Sequence, residues 1–157
     1  MAWYVIRHGE AGARLADAAE DRGRPLSALG RLQAAHLARL LVGEGIERVL
    51  SSPLLRCVAT AEPLARSLGL PVELDERLAP YDPETALAAV LALPARQSVA
   101  ISTHGEVISH VLAAVAGSDP GVAAHPPMAK GSVWVLQPEG SGLGSARYLA
   151  PKPHPGR

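Results

Sequence analysis

Short apolar runs alternate with longer stretches of helical period along the chain, the pattern of a parallel or mostly parallel sheet with helices on both faces. Residues 3–6 (Trp-Tyr-Val-Ile) read as the first strand and 46–50 as the second; 71–74 form a short third, and 98–102 a fourth of the continuous apolar kind that is buried on both faces. Ser27 is placed to cap a helix whose Leu32, Ala35, Leu37, Leu40 and Leu41 fall largely on one face, ending near Gly43 and Gly45. Ser52-Pro53 offers an N-cap and a first-turn proline to a helix running to about Leu68, with Gly69 as its stop. Asp82 caps a helix over 83–93, and another starts at His104-Gly105 and runs to about Ala116. Residues 117–127 read as loop. Residues 132–137 and 145–150 read as strands, which the turn Gly140-Ser141-Gly142 joins into a hairpin, making the sheet mixed. Residues 10–24 carry Arg14, Asp17, Glu20, Asp21 and Arg22 without a helical period, and are expected to form a loop beside the mouth of any site that the first strand leads into. The expected architecture is a three-layer α/β/α sandwich, one domain over 1–150 with a loose tail over 151–157.

A chain of 157 residues is long enough for one such domain, burying roughly 70% of its unfolded surface. Its 15 basic and 15 acidic residues cancel and form no run of one sign, which disfavours nucleic acid and anionic membrane surfaces as partners. Cys57 is the only cysteine, so an intramolecular disulfide and a cysteine zinc cluster are excluded. The first strand follows the N-terminus directly, and no apolar stretch approaches the ~20 residues of a membrane span. A soluble, cytoplasmic protein is expected. The preference for Arg over Lys, the absence of Phe and the abundance of Ala point to a GC-rich bacterial gene and identify no ligand.

The chemistry is concentrated where two strands end. Arg7-His8-Gly9 closes the first and Ser102-Thr103-His104-Gly105 the fourth, and in an open α/β sheet ligands bind at the carboxyl ends of strands. Either His-Gly pair alone reads as a structural histidine in a turn. Together with Pro25-Leu26-Ser27-Ala28-Leu29-Gly30 and Gln33-Ala34, and with Ser51-Ser52-Pro53-Leu54-Leu55-Arg56 and Thr60-Ala61, they form four ordered blocks. This string resembles the histidine phosphatase (phosphoglycerate mutase-like) superfamily, over most of the chain from Trp3 to the strand around Val133-Trp134-Val135.

A phosphoryl group in flight spreads negative charge over its oxygens, so catalysis needs an in-line nucleophile and several fixed donors. The resemblance implies that His8 attacks phosphorus as neutral imidazole, giving a phosphohistidine that water hydrolyses. It implies that His104 donates to the phosphate oxygens, more usefully when protonated, and that Arg7 and Arg56 hold phosphate bidentately. The Gly105 amide at a helix start would add a backbone donor. No metal and no cofactor is implied. Ser51 and Ser52 read as turn and cap, because no Gly-x-Ser-x-Gly elbow surrounds them; Cys57, outside any Cys-x5-Arg loop, reads as a small packed residue. His36 and His110 default to packing or solvent-facing positions in helices, and His125 and His154 receive no role.

One position departs from the pattern. Larger members carry a glutamate general acid shortly after the third strand, whereas here Asp75-Glu76-Arg77-Leu78-Ala79-Pro80-Tyr81 puts Pro80 at that place. This resembles the short SixA-type phosphohistidine phosphatases, which have Leu-x-Pro there. A phosphohistidine or phosphoanhydride leaving group needs less help from a positioned acid than an alkoxide. Glu10, Glu76 and Glu106 are alternative acids, although each defaults to a solvated carboxylate. The short chain leaves little room for a lid, and an open pocket suits a phosphorylated side chain displayed by a protein. The expected substrate is therefore a phosphohistidine carrier protein. Residues 55–65 also resemble the histidine phosphatase domain joined to some bacterial Nudix hydrolases, which would make the substrate a nucleotide or another small phosphorylated molecule. A non-catalytic phospho-ligand binding module is the reading from a different class.

Overall fold

The structure, a computed structural model, describes residues 1–117, 126–140 and 142–151. Six strands, β1 (Trp3–Arg7), β2 (Arg48–Ser51), β3 (Val72–Leu74), β4 (Val99–Thr103), β5 (Val133–Glu139) and β6 (Gly142–Leu149), form one sheet in the order β3-β2-β4-β1-β5-β6. The first four of that order are parallel, β5 runs antiparallel to β1, and β6 antiparallel to β5. The helices are α1 (Ala18–Arg22), α2 (Ala28–Leu41), α3 (Leu55–Leu68), α4 (Pro83–Leu91) and α5 (Gly105–Ala116), with one 3-10 turn at Glu76–Leu78.

Side chains alternate across the sheet because successive strand residues point to opposite faces. Tyr4, Ile6, Val49 and Ala100 pack with Leu37 and Leu41 of α2 and Ala61 and Leu64 of α3. Trp3, Val5, Leu50, Val99 and Ile101 pack on the other face with Ala86 and Val90 of α4 and Ile108 and Leu112 of α5. The three-layer mixed sandwich expected from the sequence is the one observed. Strands β1 and β4 are neighbours in register, with Arg7 opposite Thr103, yet the chain leaves β1 for the α2 face and β4 for the α5 face. A crevice opens where adjacent strands send their connections to opposite sides, and both His-Gly pairs sit there.

The turn after β1 is held by direct backbone contact with α2. A Cβ on Gly9 would lie 2.8 Å from the Gly30 carbonyl oxygen, and one on Gly30 would collide with the carbonyl of Glu10. The Glu10 carbonyl accepts from the Ser27 amide at 2.9 Å, and the Gly9 amide donates to Thr60 Oγ1 of α3 at 2.9 Å. Two small residues at this approach fix the direction in which the chain leaves β1 and carries His8 out of the sheet.

Ser27 caps α2 by accepting from the Gly30 amide, Asp82 caps α4 by accepting from Thr85, and Gly69 ends α3 in the left-handed region. Five expectations need correction. Residues 10–24 are not all loop: Asp17 caps the short helix α1 by accepting from the Glu20 amide. The α3 helix begins at Leu55 with Leu54 as an N-cap that makes no side-chain bond, so Ser52 and Pro53 lie ahead of it; the Ser52 hydroxyl is engaged elsewhere, as described below. Helix α2 ends at Leu41, before Gly43, and β2 begins at Arg48 instead of residue 46. The last strand starts at Gly142, three residues earlier than its apolar pattern suggests, because it follows β5 through a register shift at Gln137/Pro138. Among the described residues no helix is long and apolar enough to cross a membrane. His125, the greater part of the 117–127 loop, Ser141 of the hairpin turn, His154 and nearly all of the 151–157 tail lie outside the described residues.

Candidate active site

His8 follows the last residue of β1 and is buried. Its amide donates to the Thr103 carbonyl at 3.1 Å, tying it to β4. Ring nitrogen Nδ1 lies 2.8 Å from the Gly9 carbonyl oxygen. A carbonyl can only accept, so Nδ1 carries the hydrogen and the lone pair of the neutral ring is on Nε2. Burial, and next the positive Arg56 and Arg7, push His8 down to about 4 against the opposing pull of that Gly9 bond. At neutral pH the imidazole is unprotonated and presents a free nitrogen.

His104 follows β4 and is still more enclosed, its ring centroid 5.4 Å from that of His8 at an interplanar angle of 67°. Its Nε2 is 2.8 Å from Ser52 Oγ, and its Nδ1 is 3.9 Å from Cys57 Sγ. Burial, then the neighbouring His8 and Arg56, push His104 down to about 2. The empty pocket therefore holds it neutral, and protonation of the kind expected from the sequence requires the charge of a bound phosphate. Cys57 Sγ lies 3.4 Å from the same Nε2. Burial drives this thiol up to about 12, so it stays protonated and packs as a small residue.

Arg56, the second residue of α3, is fully buried. Its Nη1 donates to the Asp21 carbonyl at 2.9 Å, and its Nη2 lies 3.4 Å from Asp21 Oδ2. The other carboxylate oxygen of Asp21 accepts from Arg24 Nε at 3.0 Å and from the Leu15 amide at 2.9 Å. The Leu15 bond, then Arg24 and Arg56, hold the Asp21 carboxyl below the usual range. Asp21 sets the attitude of two guanidinium groups at once, and α1 is the element that delivers it. Arg7 is placed differently: its Nη1 donates to the Met128 carbonyl at 2.7 Å. A Cβ on Gly105 would lie 3.2 Å from Arg7 Cζ, so the guanidinium lies against the start of α5. His104, the N-cap of that helix, makes no side-chain cap bond, and the Gly105 amide is left facing the site.

The structure gathers Arg7, His8, Arg56, His104 and Gly105 around one cavity of about 210 Å³. Three cations that the motif did not identify join them there: Arg14, Arg24 and Lys130. Glu106 is the one carboxylate among the described lining residues, and its Oε1 accepts from Arg14 Nη2 at 3.0 Å in an exposed pair. Burial pushes Glu106 up, but its own backbone amide and Arg14 outweigh that and hold it below the usual carboxylate range. The other candidate acids are elsewhere. Glu10 turns its carboxylate onto the Gly12 amide, and Glu76 pairs with Arg22 on the surface; neither lines the cavity. Pro80 and Tyr81 line an adjoining cavity of about 220 Å³. Among the described residues, no group of three His, Cys, Asp or Glu is arranged to hold a metal ion.

Comparison with known proteins agrees with this fold. The family profile of the histidine phosphatase superfamily (branch 1) matches residues 3–82. A Picosynechococcus protein is 43% identical over 83 residues, 51% of this chain and 50% of that protein. The phosphohistidine phosphatase SixA of Escherichia coli is 36% identical over 115 residues, 71% of this chain and 68% of SixA. The match thus spans about half the length of the first relative and two thirds of the second. The solved structure of the protein histidine phosphatase SixA complexed with tungstate superposes with a TM-score of 0.74 at 29% identity, covering 96% of this chain and 95% of that one. The chain belongs to the histidine phosphatase superfamily and has its phosphoglycerate mutase-like fold.

Proposed function

We propose that this chain is a metal-independent phosphatase that works through a phosphohistidine on His8 and removes phosphate from phosphohistidine on a protein. The observation that carries the reading is the Nδ1 bond from His8 to the Gly9 carbonyl. It fixes the tautomer, aims an unprotonated nitrogen at a cavity with five cations and one carboxylate among its described lining residues, and does so without a separate base. Arg7, Arg56 and the Gly105 amide hold the three non-bridging oxygens, and the growing charge is met by donors already in place. His104 donates through Nδ1, and binding of the phosphate dianion favours its protonated form.

The substrate assignment follows from the leaving group. As the His8 Nε2–P bond forms, the P–N bond of the substrate breaks and its electron pair returns to the substrate imidazole. That ring leaves neutral when its other nitrogen already carries a proton, so no carboxyl is required where Pro80 stands. Water then attacks phosphorus and frees His8. The resemblance to SixA, a phosphohistidine phosphatase by name, supports the same substrate class.

The test is phosphate release by wild type and His8→Ala, in EDTA, from a phosphohistidine carrier protein, a nucleoside diphosphate and 3-phosphoglycerate. The carrier should be preferred, with turnover lost in the mutant. A preference for the nucleotide would assign a small-molecule phosphatase, and turnover that persists without His8 would remove the mechanism.

A further inference from the structure

The phosphate cavity does not end at Arg56. A second cavity of comparable size adjoins it, and the two share Arg14, Arg56 and Glu106 as lining residues. Neither histidine lines the second one; its remaining wall includes Leu15, Ala16, Pro80 and Tyr81. A phosphoryl group seated on Arg56 with His8 attacking expels its leaving group away from His8. The cavity that shares Arg56 but excludes both histidines offers space for that group.

Tyr81 makes this space unusual in such a chain. The protein has two Trp, three Tyr and no Phe. Trp3, Tyr4 and Trp134 are buried, and Tyr148 is half-buried with its ring 5.1 Å from that of Trp134. Tyr81 is the one aromatic left exposed, at 63%, and it lies beside Pro80, a flat apolar partner without a charge. Ring surfaces of this kind stack on planar groups, and an amphipathic tyrosine does so at the edge of solvent. The Arg14–Glu106 pair stands where the cavities meet, with side chains 68% and 45% exposed; such a pair is weakly held and can yield to an entering ligand.

We propose that the second cavity is a leaving-group subsite for a planar heteroaromatic ring bonded directly to phosphorus, the imidazole of phosphohistidine, and that Tyr81 is its specificity-determining residue. The proposal rests on the phosphatase reading above and adds to it where the ring is recognised. A stacked ring is worth about 3-fold to 10-fold in affinity. Tyr81 touches neither histidine's cavity wall, so its loss spares the phosphate contacts.

The experiment compares wild type, Tyr81→Ala and Tyr81→Phe on a phosphohistidine peptide, on a nucleoside diphosphate and on phosphoramidate, which has the same P–N bond without a ring. Tyr81→Ala should lose about 3-fold to 10-fold in kcat/KM on the peptide, keep its rate on phosphoramidate, and be restored by Tyr81→Phe. An equal loss on phosphoramidate, or none on the peptide, overturns the subsite; a loss confined to the nucleotide overturns imidazole as its occupant. Calorimetric binding of a hydrolysis-resistant phosphotriazole peptide tests the same point without turnover. Weaker binding by Tyr81→Ala, with inorganic phosphate bound as by wild type, supports the subsite even where the catalytic reading fails, and equal binding of the peptide overturns it.

Discussion

Two ion-paired groups border the cavity that both histidines line, and they differ in almost every physical respect. Asp21 holds Arg24 and Arg56 with side chains that are 12%, 10% and 2% exposed, and each of its carboxylate oxygens is engaged. The Arg14–Glu106 pair is a single contact in solvent. Breaking a buried pair leaves an uncompensated charge and is costly, whereas an exposed pair contributes little and is screened by salt. The inner wall is therefore built to hold geometry and the outer one to let groups pass. A phosphatase needs both, because the phosphoryl group must meet fixed donors while the rest of the substrate has to enter and leave.

The largest expected effect tests the inner wall. Asp21→Ala should cost about 3–5 kcal/mol of unfolding free energy, since Arg56 would stay buried without its carboxylate; urea titration measures it. A loss below 1 kcal/mol would show that water reaches Arg56 and that the contrast is false. Acid tests the histidines in the same wall. Both have folded values below the unfolded 6.5, at about 4 for His8 and about 2 for His104, so the unfolded chain binds more protons in between. Their contribution is complete above pH 6.5 and is lost as the pH falls toward the folded values, with His8 alone accounting for roughly 3 kcal/mol by pH 4. Inorganic phosphate should blunt that loss by favouring the imidazolium. Stability that stays flat from pH 6.5 to 4.5 would mean the rings titrate as if exposed. The smallest effect belongs to the outer pair: Glu106→Gln should change unfolding free energy by less than about 1 kcal/mol, and the difference should shrink further in high salt. A larger, salt-independent cost would place Glu106 with the inner wall.

The sheet, four of the five helices and both histidines were legible because each rests on a local signal. Trp3 to Ile6 and Val99 to Ser102 are apolar runs that end in His-Gly, and Ser27, Asp82 and Gly69 act as the caps or stop their residue types suggest. Asp21 and Arg24 were not legible as site residues. A five-residue helix carries too little period to register and depends on tertiary contacts, and the role of Asp21 exists only once α3 brings Arg56 against it. Its only signal was an acidic residue inside an arginine-rich loop predicted to border the site. Ser52 shows how a correct local rule can be overridden. Ser-Pro ahead of a helix reads as a cap, but the hydroxyl lies 2.8 Å from a buried imidazole 52 residues away in sequence, and the amide it accepts from, that of Leu54 at 3.4 Å, lies ahead of helix α3. Lys130 carried no pattern at all; it reaches the cavity because Gly131 donates its amide to the carbonyls of Arg7 and His8.

The position of β1 in the sheet has a consequence for biosynthesis. His8 is synthesised well before the segments that its strand needs, because β1 pairs with residues 99–103 on one side and 133–136 on the other. Loop closure over such separations is slow compared with helix formation, so His8 is made before its surroundings and assembled with them late. A nascent chain therefore lacks the cavity between the two histidines until β4 has emerged and docked.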